Sequence, residues 1–129
     1  VSDVDAIAAG VFTTNQVKAA CVQYCQDRLQ IKPTARAILC NAGQANASTG
    51  AQGMIDALES AQFLAQSLNI ASDTILLAST GVIGQRIKLD ALKAGIPKLV
   101  ADLSETGSAA TAKAITTTDL VTKSIALET

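Results

Sequence analysis

Histidine and tryptophan are absent from this 129-residue sequence, and Phe12, Tyr24 and Phe63 are its only aromatic residues. Without imidazole no Ser-His-Asp or Cys-His relay can be assembled within the chain, and a zinc site would rest on cysteines and carboxylates alone. Any chemistry the chain joins runs without a histidine base or takes its base from another segment. An excess of one charge is missing too: ten Lys and Arg stand singly against eleven Asp and Glu. A nucleic-acid groove needs a basic stripe and stacking aromatics, so no nucleic-acid partner is expected. No apolar run approaches the roughly 18 residues of a membrane span, and no leader is expected at the start. The three cysteines are odd in number and form no disulfide framework, so a reducing compartment is expected.

What is present is a core-forming composition: 49% of the residues are apolar, chiefly Ala, Val, Ile and Leu. That suits one domain of closely layered helices and sheet. Asp5 to Thr13 reads as a buried strand and Gln16 to Leu29 as a helix with Val17, Ala20, Cys21, Tyr24 and Cys25 on one face. Lys32-Pro33-Thr34 is a turn, and Ala35 to Cys40 a central strand. A loop of small residues, Asn41 to Gly50, follows, and Ser48 or Thr49 is placed to cap the next helix. In that helix Met54, Ala57, Leu58, Ala61, Leu64, Ala65 and Leu68 share a face, and Asn69 ends it. Asp73 to Ser79 reads as a second strand that stops before Thr80. Leu89, Leu92, Ile96, Leu99 and Leu103 step at helical spacing, with a break expected at Gly95-Ile96 and a restart at Pro97. Ala109 to Thr117 reads as a short helix and Lys123 to Glu128 as a strand. This alternation predicts an α/β fold with a layered parallel or mixed sheet and flanking helices.

Three segments have the residue types for a site. In LLASTGVIG, residues 76 to 84, Gly81 lets a backbone amide approach a ligand and Thr80 adds a hydroxyl beside it. Two such donors suit a developing oxyanion. On spacing alone the same residues better suit a strand-to-helix turn that needs glycine, while a phosphate cradle lacks both the P-loop lysine and the GxGxxG spacing. NAGQANASTG, residues 41 to 50, offers donors and acceptors but reads in isolation as a connecting loop with a helix cap. Thr116-Thr117-Thr118-Asp119 is awkward for a helix end and reads as a turn. Cys21, Cys25 and Cys40 read as buried structural thiols, and no metal site is expected.

VFTTNQVKAA, NAGQANASTG, LLASTGVIG and AITTTD stand in an order and at a spacing that resemble the ornithine acetyltransferase family, the bifunctional glutamate N-acetyltransferases. The resemblance covers essentially the whole chain. It implies a DmpA/ArgJ-like αββα fold and a precursor that cuts itself before a threonine, which becomes the N-terminal nucleophile of a β chain. That threonine takes acetyl from N-acetylornithine and passes it to glutamate, and its free α-amine (unperturbed pKa about 8) substitutes for the missing histidine. By the same resemblance Thr80, through its hydroxyl, and Gly81, through its amide, form the oxyanion hole, and Thr118 contacts substrate. No cofactor is implied; acetyl-CoA is left open as a co-substrate. The implied partners are the β chain, in an α2β2 assembly, and the two small-molecule substrates, in the cytoplasm or the plastid stroma. Two departures stand out. The Pro-Asn-Met-Ala-Thr cleavage motif and the lysine before it are missing, so Thr129 is not the nucleophile and a truncated portion of the α chain is expected. Leu120 also replaces the last residue of the family's Thr-Asp-Thr. The rival reading is a non-catalytic small-molecule binding or assembly module of the same α/β fold.

Overall fold

A computed structural model describes residues 1–125 and 127. Its centre is a parallel pair of strands, β3 (Ala37–Gln44) and β4 (Ile75–Val82), in register from Ala37 opposite Ile75 to Gln44 opposite Val82. Parallel neighbours need a long crossover, and α2 (Gly50–Leu68) supplies it, followed by a 3-10 turn (Ser72–Thr74). Alternation along the strands sends Ala37, Leu39 and Ile75 to one face. There they pack with Ala61, Leu64 and Ala65 of α2 and with Ile96 of α3 (Leu89–Ala101). The small side chains on α2 let the helix lie close to the sheet, which is how a core almost without aromatics closes. Asn69 ends α2 in the left-handed conformation and donates its N–H to the carbonyls of Ala65 and Gln66, a cap asparagine tolerates well.

The free edge of β4 is covered by α1 (Ala20–Ile31) through side chains. The Cys25 thiol donates to Leu77 O and accepts from Leu77 N, both at 3.2 Å. From the preceding residue the Tyr24 hydroxyl donates to Ile75 O at 3.0 Å. Main-chain groups that an uncovered edge would offer to another strand are thus satisfied locally. Arg28, itself buried, closes the end of α1 by donating to Lys32 O at 2.7 Å and to Thr34 O.

The structure departs from sequence expectation at several elements. The first strand is only β1 (Ala6–Ile7), antiparallel to β2 (Thr34–Ala35). It is not buried, since Ile7 and Val11 are fully solvent-facing with no layer over them. α1 starts four residues later than expected, after Ala20 N has bonded Asn46 O at 3.0 Å, and Val17 stays exposed. α3 runs through Pro97 without a break. The hydrogen bond that proline removes lies at an exposed position, and Ile96, 1% exposed, anchors the helix from the other side. α4 (Ser108–Ala114) ends early because the Thr116 hydroxyl turns back to Lys113 O at 2.7 Å. The strand expected over Lys123 to Glu128 is not formed at residues 123–125, and Ala126 and Glu128 lie outside the described residues. Cys21 and Cys25 are buried as expected, but Cys40 is exposed, because it sits on the sheet face opposite the helices.

One-sided burial makes a direct prediction. Ile75→Ala, at a position with no exposed surface, lowers unfolding free energy by about 2–5 kcal/mol. Ile38→Ala, on the open face and 63% exposed, changes it by less than about 0.5 kcal/mol. Denaturant titration of the two variants measures the contrast.

Candidate active site

Both strands continue past the points where the sequence suggested loops, so Thr80 and Gly81 belong to β4 and are not part of a turn beyond it. Thr80 pairs with Ala42 and Gly81 with Gly43. The two glycines have φ of +130° (Gly81) and +128° (Gly43), a region other residues rarely enter. A Cβ on Gly81 would stand 2.3 Å from both C and O of Gly43. The glycine at position 81 is therefore demanded first by the close approach of the two strand ends.

Thr80 is exposed, and its hydroxyl makes no hydrogen bond to another described residue. It borders a depression of about 170 Å³ together with Cys40, Asn41, Ala78, Ser79 and Ile115. Ile115, at the end of α4, arrives from the far end of the sequence; nothing in local spacing singled it out. Thr118, three residues further on, is exposed and is not among the residues lining the depression. Beside it Asp119 accepts from Lys123 Nζ at 2.7 Å. Burial pushes the Cys25 thiol up from its ordinary value, and partial desolvation by its neighbours raises that of the solvent-facing Cys40, so neither is a ready nucleophile at neutral pH. Among the described residues no group of three or more Cys, Asp or Glu is placed to hold a metal ion.

The loop from Ala45 to Thr49, which joins β3 to α2, is polar in order to hold itself together. Asn46, 1% exposed with φ of 49°, donates from Nδ2 to Gly53 O at 2.9 Å and accepts from the Thr49 hydroxyl at 2.9 Å. Its carbonyl takes the Ala20 N–H that opens α1. Thr49 is indeed the residue before α2, but its hydroxyl serves Asn46 and makes no cap to the helix. Gly53 completes the packing, since a Cβ there would meet Thr49 Oγ1 at 1.9 Å.

The segment leaving β4 is tied to this loop by Ala45 N donating to Val82 O and Gly84 N donating to Ala47 O, each at 2.9 Å. Two residues later Arg86 donates from Nε and Nη2 to the two carboxylate oxygens of Asp56, at 2.8 and 2.7 Å. Asp56 lies on α2 and is completely buried. Hydrogen bonding from Arg86 holds its carboxyl below the usual range against the opposing effect of burial, with Gln52 assisting. The pair is therefore ionised throughout the neutral range. Helical spacing sets Asp56 on the polar face of α2, yet it is buried, and a lone Arg in a loop looks like surface, so the pair carries no local signal.

An α/β unit with a parallel strand pair and a polar tip at its carboxyl end matches solved structures over most of its length. Superposed on arginine biosynthesis bifunctional protein ArgJ from Bacillus halodurans, it gives a TM-score of 0.84 at 33% identity, covering 92% of this chain and 62% of the other. On ornithine acetyltransferase from Mycobacterium tuberculosis, solved with ornithine, the TM-score is 0.85 at 39% identity, covering 89% and 63%. These structures carry the DmpA/ArgJ-like fold, and the chain shares that class. The ArgJ family profile matches residues 1–129, and the chain belongs to the ArgJ family. It is 74% identical, over its whole length, to arginine biosynthesis bifunctional protein ArgJ 1 of Nostoc sp., of which it covers 31%. It is 65% identical to the Synechocystis protein and 57% identical to the chloroplastic protein of Sorghum bicolor, over 99% and 98% of its own length. The chain thus spans less than a third of the length of these curated relatives.

The steric argument at the strand ends gives the next prediction. Gly81→Ala forces β3 and β4 apart and lowers stability by on the order of 3 kcal/mol, whereas Thr80→Ala, at an exposed hydroxyl, leaves the melting temperature within a few degrees of the parent. Thermal unfolding followed by circular dichroism reads both.

Proposed function

We propose that this chain is part of an acyltransferase that moves the acetyl group of N-acetyl-L-ornithine to L-glutamate through an acetyl-threonine intermediate. The observation that carries the reading is the family match over residues 1–129, which includes LLASTGVIG and its exposed Thr80. In this reading the nucleophilic threonine belongs to the β chain of the same precursor. Its hydroxyl oxygen attacks the amide carbonyl, its α-amine takes the proton and passes it to the leaving nitrogen, and ornithine departs as the free amine. Glutamate's amine then attacks the acetyl ester and releases the threonine. Both steps pass through a tetrahedral centre whose oxygen gains negative charge. Thr80 Oγ1 and Gly81 N–H donate to that oxygen, and each such donor is worth about 3 kcal/mol of barrier. No cofactor is assigned to this reaction, and acetyl-CoA is left open as a co-substrate.

The open face of the β3–β4 pair supports the β chain as partner. Ile38 and Cys40 lie exposed there, an apolar surface of the kind that calls for a covering layer, and an αββα sandwich provides one in an α2β2 assembly. Thr118 is assigned a substrate contact, weakened by Leu120 in place of the family's second threonine. The compartment is the bacterial cytoplasm or the plastid stroma: plant relatives are named chloroplastic, and no described helix is long and apolar enough to cross a membrane.

The 129-residue chain alone releases no ornithine from N-acetylornithine in the presence of glutamate. Grafted into the Nostoc relative in place of the matching third, it supports self-cleavage and transfer, and Thr80→Ala then lowers kcat by about 10²-fold. Ornithine release by the isolated chain contradicts the absence of a nucleophile. An intact, inert graft favours the rival reading of a small-molecule binding or assembly module.

A further inference from the structure

The segment that leaves the tip of β4 is restrained at every second residue. Val82 and Gly84 are held by main-chain bonds to Ala45 and Ala47, which any side chain would permit. The third restraint, Arg86 on Asp56, depends on two particular side chains. Between them stand Gly84, with φ of +81°, and Ile83, 67% exposed, so this stretch has little packing of its own to fix it. Beyond Arg86 the chain enters the core at Ile87.

A buried carboxylate with no exposed surface is an expensive way to join a loop to a helix, because apolar side chains of similar volume often do so with equal or greater stability. What a two-pronged guanidinium–carboxylate pair adds is direction: both nitrogens must meet both oxygens, so angle as well as distance is fixed. Here the angle fixed is that of a chain leaving Thr80 and Gly81 five residues earlier. Asp56 is placed to set it because it sits on α2, the helix whose first turns also hold Asn46 and the end of β3.

We propose that Asp56 and Arg86 are positioning residues for the oxyanion-binding tip, fixing the exit of β4 so that the Thr80 hydroxyl and Gly81 amide converge on one point. This rests on the acyltransferase reading above. The pair touches no reacting atom; it acts through the backbone of residues 81–85. Its loss therefore slows the chemical step while leaving substrate affinity nearly intact.

The test uses the full-length Nostoc relative carrying this chain as a graft, with Arg86→Gln, Arg86→Lys and the double variant Asp56→Asn/Arg86→Gln. Misplacement of a catalytic group by about 1 Å costs about a hundredfold in rate. Arg86→Gln is expected to lower kcat for acetyl transfer by that factor with KM within about threefold of the parent. Arg86→Lys, which keeps charge but loses the two-pronged geometry, recovers to within roughly tenfold. The double variant removes the buried charge, so it folds with a melting temperature near the parent's yet keeps the kcat defect. Retention of parental kcat in a folded Arg86→Gln or double variant overturns the proposal, as does failure of both to fold, which would make the pair a condition of folding only. If the unsubstituted graft transfers no acetyl, the acyltransferase reading falls and this inference with it. An active graft with indifferent variants removes the positioning role alone.

Discussion

Main chain meets main chain at Gly43 and Gly81 more closely than any side chain would allow, and the rest of the architecture follows from that contact. It permits β3 and β4 to remain paired for eight residues each, to Gln44 and Val82, where either strand would otherwise splay. Thr80 is consequently fixed within a ladder, with Ala42 opposite it, instead of riding on a mobile turn. A donor held by a sheet is preorganised in a way that a donor on a loop is not, and preorganisation is what makes electrostatic stabilisation of a transition state effective. The left-handed φ values at both glycines are thus a structural requirement that also leaves the Gly81 amide unobstructed by a Cβ.

The second organising feature is the asymmetry of the sheet. One face is closed by α2 and α3 through a cluster of small and branched side chains, and the edge of β4 is closed by α1 through a thiol and a phenol. The other face stays open and carries Ile38, Cys40 and Thr80. The polar groups named on the helix side are bonded internally, Asn46 by the loop, Asp56 by Arg86 and the terminal nitrogens of Arg28 by the carbonyls after α1, while the buried Arg28 Nε has no partner among the described residues. The Thr80 hydroxyl, which bonds no other described residue, lies on the open side. In the proposed acyltransferase this open side is the one turned toward the covering layer.

Much of this was legible in the sequence where periodicity was strong. α2 is read correctly as a helix ending at Asn69, because an amphipathic stripe of about four turns is a redundant signal, but its faces are drawn imperfectly: Leu58, placed on the apolar face, is 44% exposed and Asp56 is buried. The central strands are found but drawn too short, since their carboxyl ends are made of Asn, Gly, Ser and Thr. Those residues look like loop, and they pair only because two glycines face one another across the ladder. The amino-terminal segment fails for the opposite reason: its apolar composition suggests burial, yet no described residue covers Ile7 or Val11. Pro97 is misjudged because a proline's cost depends on whether the lost hydrogen bond is exposed, which composition does not reveal. At the candidate site Thr80 and Gly81 stood out through the glycine and the resemblance. Ile115, Asn46 and the Asp56–Arg86 pair did not, because each draws its meaning from a neighbour at least 30 residues away or from burial that no local pattern marks.

The account turns on whether the Thr80 hydroxyl and the Gly81 amide address the same oxygen. A crystal structure of the grafted full-length enzyme, with a phosphonate mimic of the tetrahedral centre bound to the nucleophilic threonine, measures this directly. The account predicts one phosphonate oxygen within about 3 Å of both Thr80 Oγ1 and Gly81 N. An oxygen bound by other groups, with Thr80 and Gly81 turned away or screened from it, would contradict it.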